Sequence, residues 1–416
     1  MRVALLFIVL GVNAVAADLV LTGATAYPSP GAEPVHDAVI VIREGRIAEI
    51  GPRATTRIPA GTEILNCSGE FITAGFWNSH IHILPPALLH ARDSAAAQLS
   101  GELDAMLNRW GFTTVFDIAS VLDNTLALRS RIESGEVRGP RILTVGEPLW
   151  TKVPVYVQDY LTSNHISIPV VTTPSEAAER TRELSRRGVD GIKLFTGSAQ
   201  AGGQVADMPL AMVRAATEEA HKHHLPVFAH PQNAAGVQVA VDGGVDILAH
   251  TVPQMEPWTG DYVAILKRAN MALIPTLTLF DSEARKGGLS TPGLDKFVSK
   301  MVDELRVFSQ AGGEVLFGTD VGYTEHFDTE LEYRLMSQAG MNFPQILASL
   351  TTNPARRFGY SDRTGRLAAG MEADLVVLDD DPARDVVALS RVRFVIRGGK
   401  LLYSAASTVK AGAGGP

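Results

Sequence analysis

Apolar and polar positions alternate differently along three regions of the chain. Residues 18–70 contain short strands of period-two alternation separated by turn residues, and residues 373–378 and 392–396 near the other end repeat this character. The region between them alternates short apolar runs with amphipathic stretches of helical period. This pattern predicts a small β-sandwich domain, built from both chain ends, beside a repeating β/α region.

The middle region contains eight apolar runs of strand type, counting the one that ends at His82, and helical stretches such as 174–187 and 294–311 separate them. Eight successive units fit a closed (β/α)8 barrel of the α/β class. An open doubly wound sheet is the alternative, but the glycine-rich phosphate turn expected after its first strand is missing from the sequence. The other seven predicted strands are 113–118, 141–145, 191–195, 226–230, 246–250, 272–279 and 315–320.

The first residues have the character of an export signal. Arg2 precedes an apolar run at 3–12 and small residues at 14–17, and this run is shorter than the ~20 residues of a membrane span. Cleavage near residue 17 would release a chain without a membrane anchor into the periplasm or the medium; an uncleaved anchor is the alternative. The remaining predicted parts are the β-sandwich at 18–70 and 361–405, the barrel at 71–360 and a disordered tail at 406–416.

Composition and charge narrow the range of partners. The chain has 416 residues, 46% of them hydrophobic, with a formal net charge of −8 and no basic stripe. Nucleic acid and anionic membrane surfaces are therefore disfavoured, and a small-molecule substrate is expected. The single cysteine, Cys67, excludes an intramolecular disulfide and a thiolate metal cluster. The oligomeric state stays open, a homo-oligomer included.

His80 and His82 lie at the end of the predicted strand that passes through Gly75. Two residues apart on one strand, they face the same side. Neutral imidazoles held at that separation suit Zn²⁺ or a similar divalent ion. The pair alone is weak evidence, because such pairs also serve structural roles, so a metal site requires further ligands from elsewhere in the chain.

Four more polar residues lie within or directly after apolar strand candidates. In a barrel the carboxyl ends of the strands meet at one rim, and an unsatisfied polar group in an apolar run would be costly. Six such residues at one rim are hard to explain as core, so the sequence predicts a functional site there. The four additional residues are Lys193, His230, His250 and Asp320.

Two further runs, TNPARRFG at 352–359 and GRLAAGMEADLVVL at 365–378, complete a pattern that resembles a known family. Together with the rim residues, they resemble the amidohydrolase superfamily of metal-dependent hydrolases. Within it, the chain is similar to the branch of imidazolonepropionases, Xaa-Pro dipeptidases and ochratoxin-type amidases. The resemblance covers essentially the whole chain after the predicted signal, and it implies a distorted (β/α)8 barrel with two divalent metal ions.

The resemblance also implies a role for each rim residue. His80, His82 and Asp320 would bind the deeper ion, and His230 and His250 the shallower one. Lys193 would bridge the two as an N6-carboxylated side chain formed with CO₂. In an apolar strand, a bare ammonium beside two dications would be strongly repelled, whereas a carbamate offers each ion an oxygen. A salt bridge to a carboxylate beside a single ion is the alternative. Zn²⁺ is expected from the ligand types, but Mn²⁺, Co²⁺ and Fe²⁺ tolerate the same set.

The implied reaction is hydrolysis at a carbonyl. A hydroxide held between two dications is a nucleophile at neutral pH. Asp320 is the expected proton shuttle from that water to the leaving nitrogen, and the shallower ion would polarise the carbonyl. A small amide is favoured, either an N-acyl amino acid, a dipeptide or a cyclic amide. A lactonase or phosphotriesterase at the same site is the alternative, and a non-catalytic scaffold is disfavoured because it has no need of all six ligand residues.

Residues that follow barrel strands are the best candidates for substrate contact. Aromatic residues there could equally pack as a lid on the rim. The sequence also departs from the family pattern: Asn78 replaces the usual aspartate two residues before His80, and Ala74 replaces a proline. The candidate substrate residues are Trp150, Tyr156, His165, Tyr323 and His326.

Overall fold

The computed structural model describes residues 19–405. The predicted export signal at 1–17 and the predicted tail at 406–416 lie outside the described residues and stay predictions. Within the described range, no helix combines the length and the apolar character needed to cross a bilayer.

The residues 19–405 form seventeen strands and twelve α-helices. In chain order the strands are β1 (Leu19–Ala26), β2 (Val35–Arg43), β3 (Arg46–Pro52), β4 (Ile64–Asn66), β5 (Phe71–Ala74), β6 (Phe76–Ile81), β7 (Phe112–Asp117), β8 (Arg141–Thr144), β9 (Ile192–Phe195), β10 (Gly197–Ala199), β11 (Val205–Asp207), β12 (Val227–His230), β13 (Ile247–Leu248), β14 (Ala272–Leu273), β15 (Leu375–Leu378), β16 (Val392–Arg397) and β17 (Lys400–Ser404). The helices are α1 (Ala96–Met106), α2 (Leu122–Glu133), α3 (Val155–Ser163), α4 (Pro174–Arg186), α5 (Leu210–Lys222), α6 (Ala234–Asp242), α7 (Gly260–Arg268), α8 (Leu277–Lys286), α9 (Thr291–Gln310), α10 (Glu330–Gln338), α11 (Phe343–Leu350) and α12 (Thr352–Arg357). Short 3₁₀ helices cover Pro86–Leu88, Asn108–Trp110, Ala201–Gly203 and Val386–Ser390.

Strands from the two ends of the chain form one eight-stranded sheet, the terminal sheet. Its order is β17-β16-β15-β5-β1-β2-β3, and β4 pairs with β1. The junction between the two chain ends is the antiparallel pair of β15 and β5. Alternate residues of these strands point into one buried apolar cluster, which accounts for the period-two pattern of the sequence. Its members include Leu21, Ile40, Ile72, Val377 and Ile396.

The run 71–74, predicted to lead into the strand of His80, belongs to the terminal sheet instead. The structure places it there as β5, which pairs with β15 and β1. A new strand, β6, begins after Gly75 and pairs in parallel with β7. A Cβ atom at Gly75 would collide with the Thr113 side chain, so the chain changes sheets at a residue that only glycine fits.

Two parallel sheets carry the middle region. One has the order β6-β7-β8 and the other β9-β12-β13-β14. Single parallel bridges connect them, one between Leu149 and Leu194, and two through the segment that begins at Val315. That segment, predicted as an eighth strand at 315–320, pairs with Leu273 at one end and with Ile81 at its other end, Val321. The two sheets are thus joined by bridges and not by a continuous ladder.

A second apolar cluster lies among the parallel strands. It takes side chains from both parallel sheets and from the segment 315–321, so these elements enclose a common interior. The cluster includes Trp77, Phe116, Leu143, Phe228, Ile247, Ala272 and Leu316.

Two predicted strands are wrong over most of their length. The run 315–320 does not form a strand: it makes one isolated bridge at Val315, and the next bridge lies just beyond it at Val321. The run 272–279 forms a strand only at Ala272–Leu273, and α8 begins at Leu277. Between them Pro275 cannot donate to a ladder, and Thr276 adopts a left-handed conformation with a φ of 47°. The predicted strands at 113–118, 141–145, 191–195, 226–230 and 246–250 each start and end within two residues of an observed one.

Candidate metal centre and substrate cavity

The six predicted rim residues converge on one cavity. They come from β6, β9, β12, the turn after β13, and the segment 315–321. The closest approaches involve the carboxylate of Asp320. Its Oδ1 lies 3.4 Å from His80 Nε2 and 2.8 Å from His82 Nε2, and its Oδ2 lies 3.9 Å from His250 Nε2. The ring of His230 lies 4.6 Å from that of His250, centroid to centroid.

Close backbone contacts bring Asp320 against β6. Its N–H donates to the carbonyl of His80 at 2.9 Å, and its φ of 60° turns the chain sharply there. Gly318 and Gly322 flank the turn, and an added Cβ would meet the His80 side chain at the first and the His82 carbonyl at the second. The glycines therefore permit the approach that places the Asp320 carboxylate beside two imidazoles.

Hydrogen bonds fix the tautomers of two histidines. His82 Nδ1 lies 2.8 Å from the carbonyl oxygen of Ala119, so Nδ1 carries the proton. His250 Nδ1 lies 2.7 Å from Thr276 Oγ1, whose own proton goes to the carbonyl of Pro275 at 2.9 Å. Because Nδ1 of each ring is engaged in this way, Nε2 faces the centre of the cavity and is the atom available to a metal ion. Metal-binding imidazoles are commonly oriented by such hydrogen bonds from the second ring nitrogen to a carbonyl or hydroxyl oxygen.

The facing atoms suit a cation. His82 Nε2 and Asp320 Oδ1 lie 2.8 Å apart, a separation that places a proton or a cation beside both atoms. Among residues 19–405, Asp320 Oδ1 and His80 Nδ1 are buried without a hydrogen-bond partner. Ligand atoms of His80, His250 and Asp320 lie within 4.8 Å of one another. This donor set of imidazole nitrogens and a carboxylate fits Zn²⁺ or a similar divalent ion.

The protonation states agree with ligand roles. Burial lowers the pKa of His80 to about 4 and that of His230 to about 3, and it holds the pKa of His250 well below its usual value. These rings are therefore neutral at pH 7, the form that binds metals. Burial raises the pKa of Asp320, but the imidazoles of His80 and His82 outweigh that effect and hold it well below its usual range, so Asp320 is an anion.

Lys193 is buried at the base of the same cavity. Its side chain is 1% exposed, and burial lowers its pKa to about 7. In the described part of the chain, no carboxylate lies within ion-pair distance of its Nζ. The Nζ atom lies 5.7 Å from the ring centre of Phe195. The charge of Asp320 acts on Lys193 and raises its pKa, but less than burial lowers it.

The cavity has a volume of about 370 Å³ and contains three of the five predicted substrate residues. Trp150, Tyr156 and Tyr323 line it, and the Tyr156 hydroxyl lies 3.3 Å from His230 Nε2. His165 and His326 do not line the cavity and are exposed. Both follow predicted barrel strands in sequence, but their loops turn these side chains to the surface.

Helix α3 and the loops around it form one wall of the cavity. Trp150, Tyr156, Tyr160 and Ile166 from this segment all face inward. The hydroxyl of Tyr160 donates to the carbonyl of Leu84 at 2.8 Å, which ties the wall to the chain just after β6. This wall restricts the access of water to the centre.

Several residues that shape the site were missed by the sequence analysis. Thr276 orients His250, and the interruption of an apolar run by Pro275 could have marked it. Gln232 Oε1 lies 3.4 Å from His230 Nε2. Glu283 lines the cavity from α8, and its charge on the inner face of an amphipathic helix was the available signal.

Known proteins share this fold and much of this sequence pattern. Residues 71–402 match the model of the amidohydrolase family. Over 415 residues the chain is 22% identical to an ochratoxinase of Aspergillus niger, which covers 89% of this chain and 83% of that protein. Over 408 residues it is 25% identical to an imidazolonepropionase of Cupriavidus necator, with coverage of 89% and 93%. A solved Xaa-Pro dipeptidase with bound methionine is similar in structure, with a TM-score of 0.80, 22% identity and coverage of 93% of this chain and 100% of that one.

Proposed function

Because the chain belongs to the amidohydrolase family and is a metal-dependent hydrolase of carbon–nitrogen bonds, we propose that it hydrolyses a small amide at a centre of two divalent ions. The resemblance inferred from the sequence motifs is confirmed at the level of the superfamily. The observation that carries the proposal is the convergence of six candidate ligands on one cavity. They are His80, His82, Lys193, His230, His250 and Asp320.

The fold that presents these ligands is proposed to be a distorted (β/α)8 barrel flanked by a β-sandwich. The shared apolar interior of the two parallel sheets and the bridges between them support the barrel. The segment 315–321 would occupy the position of its eighth strand. The terminal sheet, with its own buried cluster, supports the sandwich. Residue 75, where the chain leaves the terminal sheet, is then the start of the barrel.

Lys193 is proposed to carry an N6-carboxyl group. Only the free amine reacts with CO₂, and a pKa near 7 leaves about half of the side chain in that form at neutral pH. A carbamate would add a second buried anion to the centre, where Asp320 alone would otherwise balance the charge of two dications. The absence of an ion-pair partner for Lys193 within residues 19–405 supports this modification.

In the proposed reaction, the residues of the chain bind, orient and transfer a proton. When bound, the two ions would supply an activated water at neutral pH and polarise the scissile carbonyl. Asp320 accepts the proton of the attacking water at Oδ2, the oxygen that lies 3.9 Å from His250, and passes it to the leaving nitrogen. Tyr156 and the α3 wall hold the substrate against the centre and exclude bulk water.

The proposed substrate is a small amide, with an N-acyl amino acid, a dipeptide or a cyclic amide as the open possibilities. The names of the similar proteins, which include a Xaa-Pro dipeptidase, support hydrolysis of carbon–nitrogen bonds. A lactone or a phosphotriester at the same residues is the alternative. Export to the periplasm or the medium is also proposed, and it rests on the sequence of residues 1–17 alone.

A panel of substrates tests this proposal directly. The purified protein is incubated with N-acyl amino acids, Xaa-Pro dipeptides, cyclic amides, N-acyl arylalkylamines, lactones and aryl phosphotriesters, and product release is followed with and without a metal chelator. We expect hydrolysis of at least one amide, and we expect chelation to abolish it. Hydrolysis confined to lactones or phosphotriesters, or amide hydrolysis that persists in chelator, would overturn the proposal.

A further inference from the structure

The walls of the cavity carry little charge. Apart from the candidate metal ligands, Glu283 is the only acidic or basic residue, histidine aside, that lines it within the described part of the chain. The rest of the wall is largely apolar and aromatic. An arginine or lysine that could bind a substrate carboxylate is missing from the lining, since Lys193 lies at the base among the candidate metal ligands.

Lys286, a cation that contacts two lining residues of the cavity, is already paired. Lys286 Nζ lies 3.3 Å from Glu283 Oε1 and 5.5 Å from the ring centre of Tyr323. Lys286 therefore neutralises Glu283 and packs on an aromatic ring, and both contacts would have to break before it could bind a substrate anion.

From this arrangement we propose that the cavity selects amides with apolar, uncharged substituents and excludes amides that carry a carboxylate beside the scissile bond. The inference rests on the proposed amide hydrolysis and narrows its substrate class. It places N-acyl amino acids and dipeptides with a free carboxylate among the poor substrates, and neutral arylalkyl amides among the good ones.

Binding free energy disfavours a charged substituent in this cavity and favours an apolar one. A carboxylate held against this wall loses hydration, and no arginine or lysine side chain of the wall replaces it. An aromatic substituent, in contrast, gains contact area with Trp150, Phe280 and Phe297, which line the cavity. The volume of about 370 Å³ lies at the lower end of the range of small-molecule sites.

Three test compounds distinguish the effect of substrate charge from that of substrate size. N-benzoyl-L-phenylalanine and N-benzoyl-L-phenylalaninamide have nearly the same shape and differ in one negative charge, and N-(2-phenylethyl)benzamide lacks the substituent altogether. On the metal-loaded enzyme, benzoate release should give a kcat/KM for each neutral compound about 100-fold above that of the carboxylate.

Binding to the Asp320→Asn variant gives a readout that does not depend on turnover. Calorimetry should show both neutral amides binding at least about tenfold more tightly than the carboxylate. Phe297→Arg, which places a cation in the wall, should shift this preference toward the carboxylate, and Phe297→Leu should not.

The outcomes distinguish this inference from the proposed function. Equal or tighter binding of the carboxylate, or no binding of either neutral amide, overturns the inference even where amides are hydrolysed. Preferential binding of the neutral amides supports it, whereas a complete lack of amide hydrolysis across the full substrate panel overturns the proposed function instead.

Discussion

The side-chain amide of Asn78 donates to the hydroxyl of Thr319 across 2.8 Å, joining two residues 241 positions apart in the sequence. The Oδ1 atom of the same asparagine accepts from the backbone N–H of His80 at 3.2 Å. Asn78 thus ties β6 to the segment that carries Asp320, and it does so without charge. An aspartate, which the family resemblance leads one to expect here, could accept both contacts but could not donate to Thr319.

Asn78→Ala should loosen this connection. The variant leaves buried groups unpaired, and we expect a loss of about 2 kcal/mol in the free energy of unfolding, measured with urea. Misplaced ligands should also weaken metal binding by roughly 10- to 100-fold in a competition titration. Asn66→Ala, at an exposed position of the terminal sheet, is the control. Unchanged metal affinity in Asn78→Ala would refute the positioning role.

Asp320→Asn tests the proton shuttle. The amide keeps an oxygen that can bind an ion, but it cannot take up a proton from water. We expect kcat to fall by roughly 10³-fold or more while part of the metal is retained. Steady-state kinetics and elemental analysis of the same sample measure kcat and metal content. The exposed Asp362→Asn provides a charge-matched control, and a near-normal kcat in Asp320→Asn would remove it from the reaction.

Substitutions of four of the predicted substrate residues should divide into two groups. Trp150→Ala and Tyr156→Phe change the cavity wall, and we expect kcat/KM to fall about tenfold or more. His165→Ala and His326→Ala change exposed side chains outside the cavity, and their kcat/KM should stay within about twofold of the wild type. A large loss of kcat/KM in either histidine variant would contradict the placement of these side chains outside the cavity.

Glu304 makes stability depend on pH. Its side chain is fully buried on α9, Oε2 accepts from the N–H of Val252 at 2.7 Å, and Oε1 has no partner among the described residues. Burial raises its pKa from 4.5 to about 8. The unfolded chain ionises first, so the stabilising contribution of the protonated form is full below pH 4.5 and is lost as the pH rises toward 8.

Glu304→Gln removes this dependence, because the amide does not ionise. We expect the variant to match the wild type at pH 4.5 and to exceed it at pH 9 by an amount on the order of a few kcal/mol in the free energy of unfolding. Glu256→Gln, at an exposed position, is the control. Parallel stability curves for Glu304→Gln and the wild type would contradict the assignment.

The candidate site could be predicted because its residues interrupt apolar runs. His230 ends a buried strand, and Lys193 lies within one, so each carries a strong local signal. Glu304 carries such a signal too, on the apolar face of α9, but nothing in the sequence connects it with Val252. Contacts of this kind join segments that are distant in sequence, and local sequence patterns do not predict them.

The errors in the predicted fold also have physical causes. The apolar run 71–74 looks like the start of the strand of His80, but Gly75 lets the chain pass from one sheet to another within a single residue. The run 272–279 stays apolar after its strand has ended because the first turns of α8 are also buried. An apolar run indicates that its residues are buried, but it does not distinguish a strand from a buried helix.

The metal content per chain tests the proposed bridging of two divalent ions by Lys193. Elemental analysis of protein purified without chelator should give close to two equivalents for the wild type and for Lys296→Ala, a control at an exposed lysine. Lys193→Ala should lose most of the metal, because the ions would lack their shared anion. Two full equivalents in Lys193→Ala would contradict the bridge.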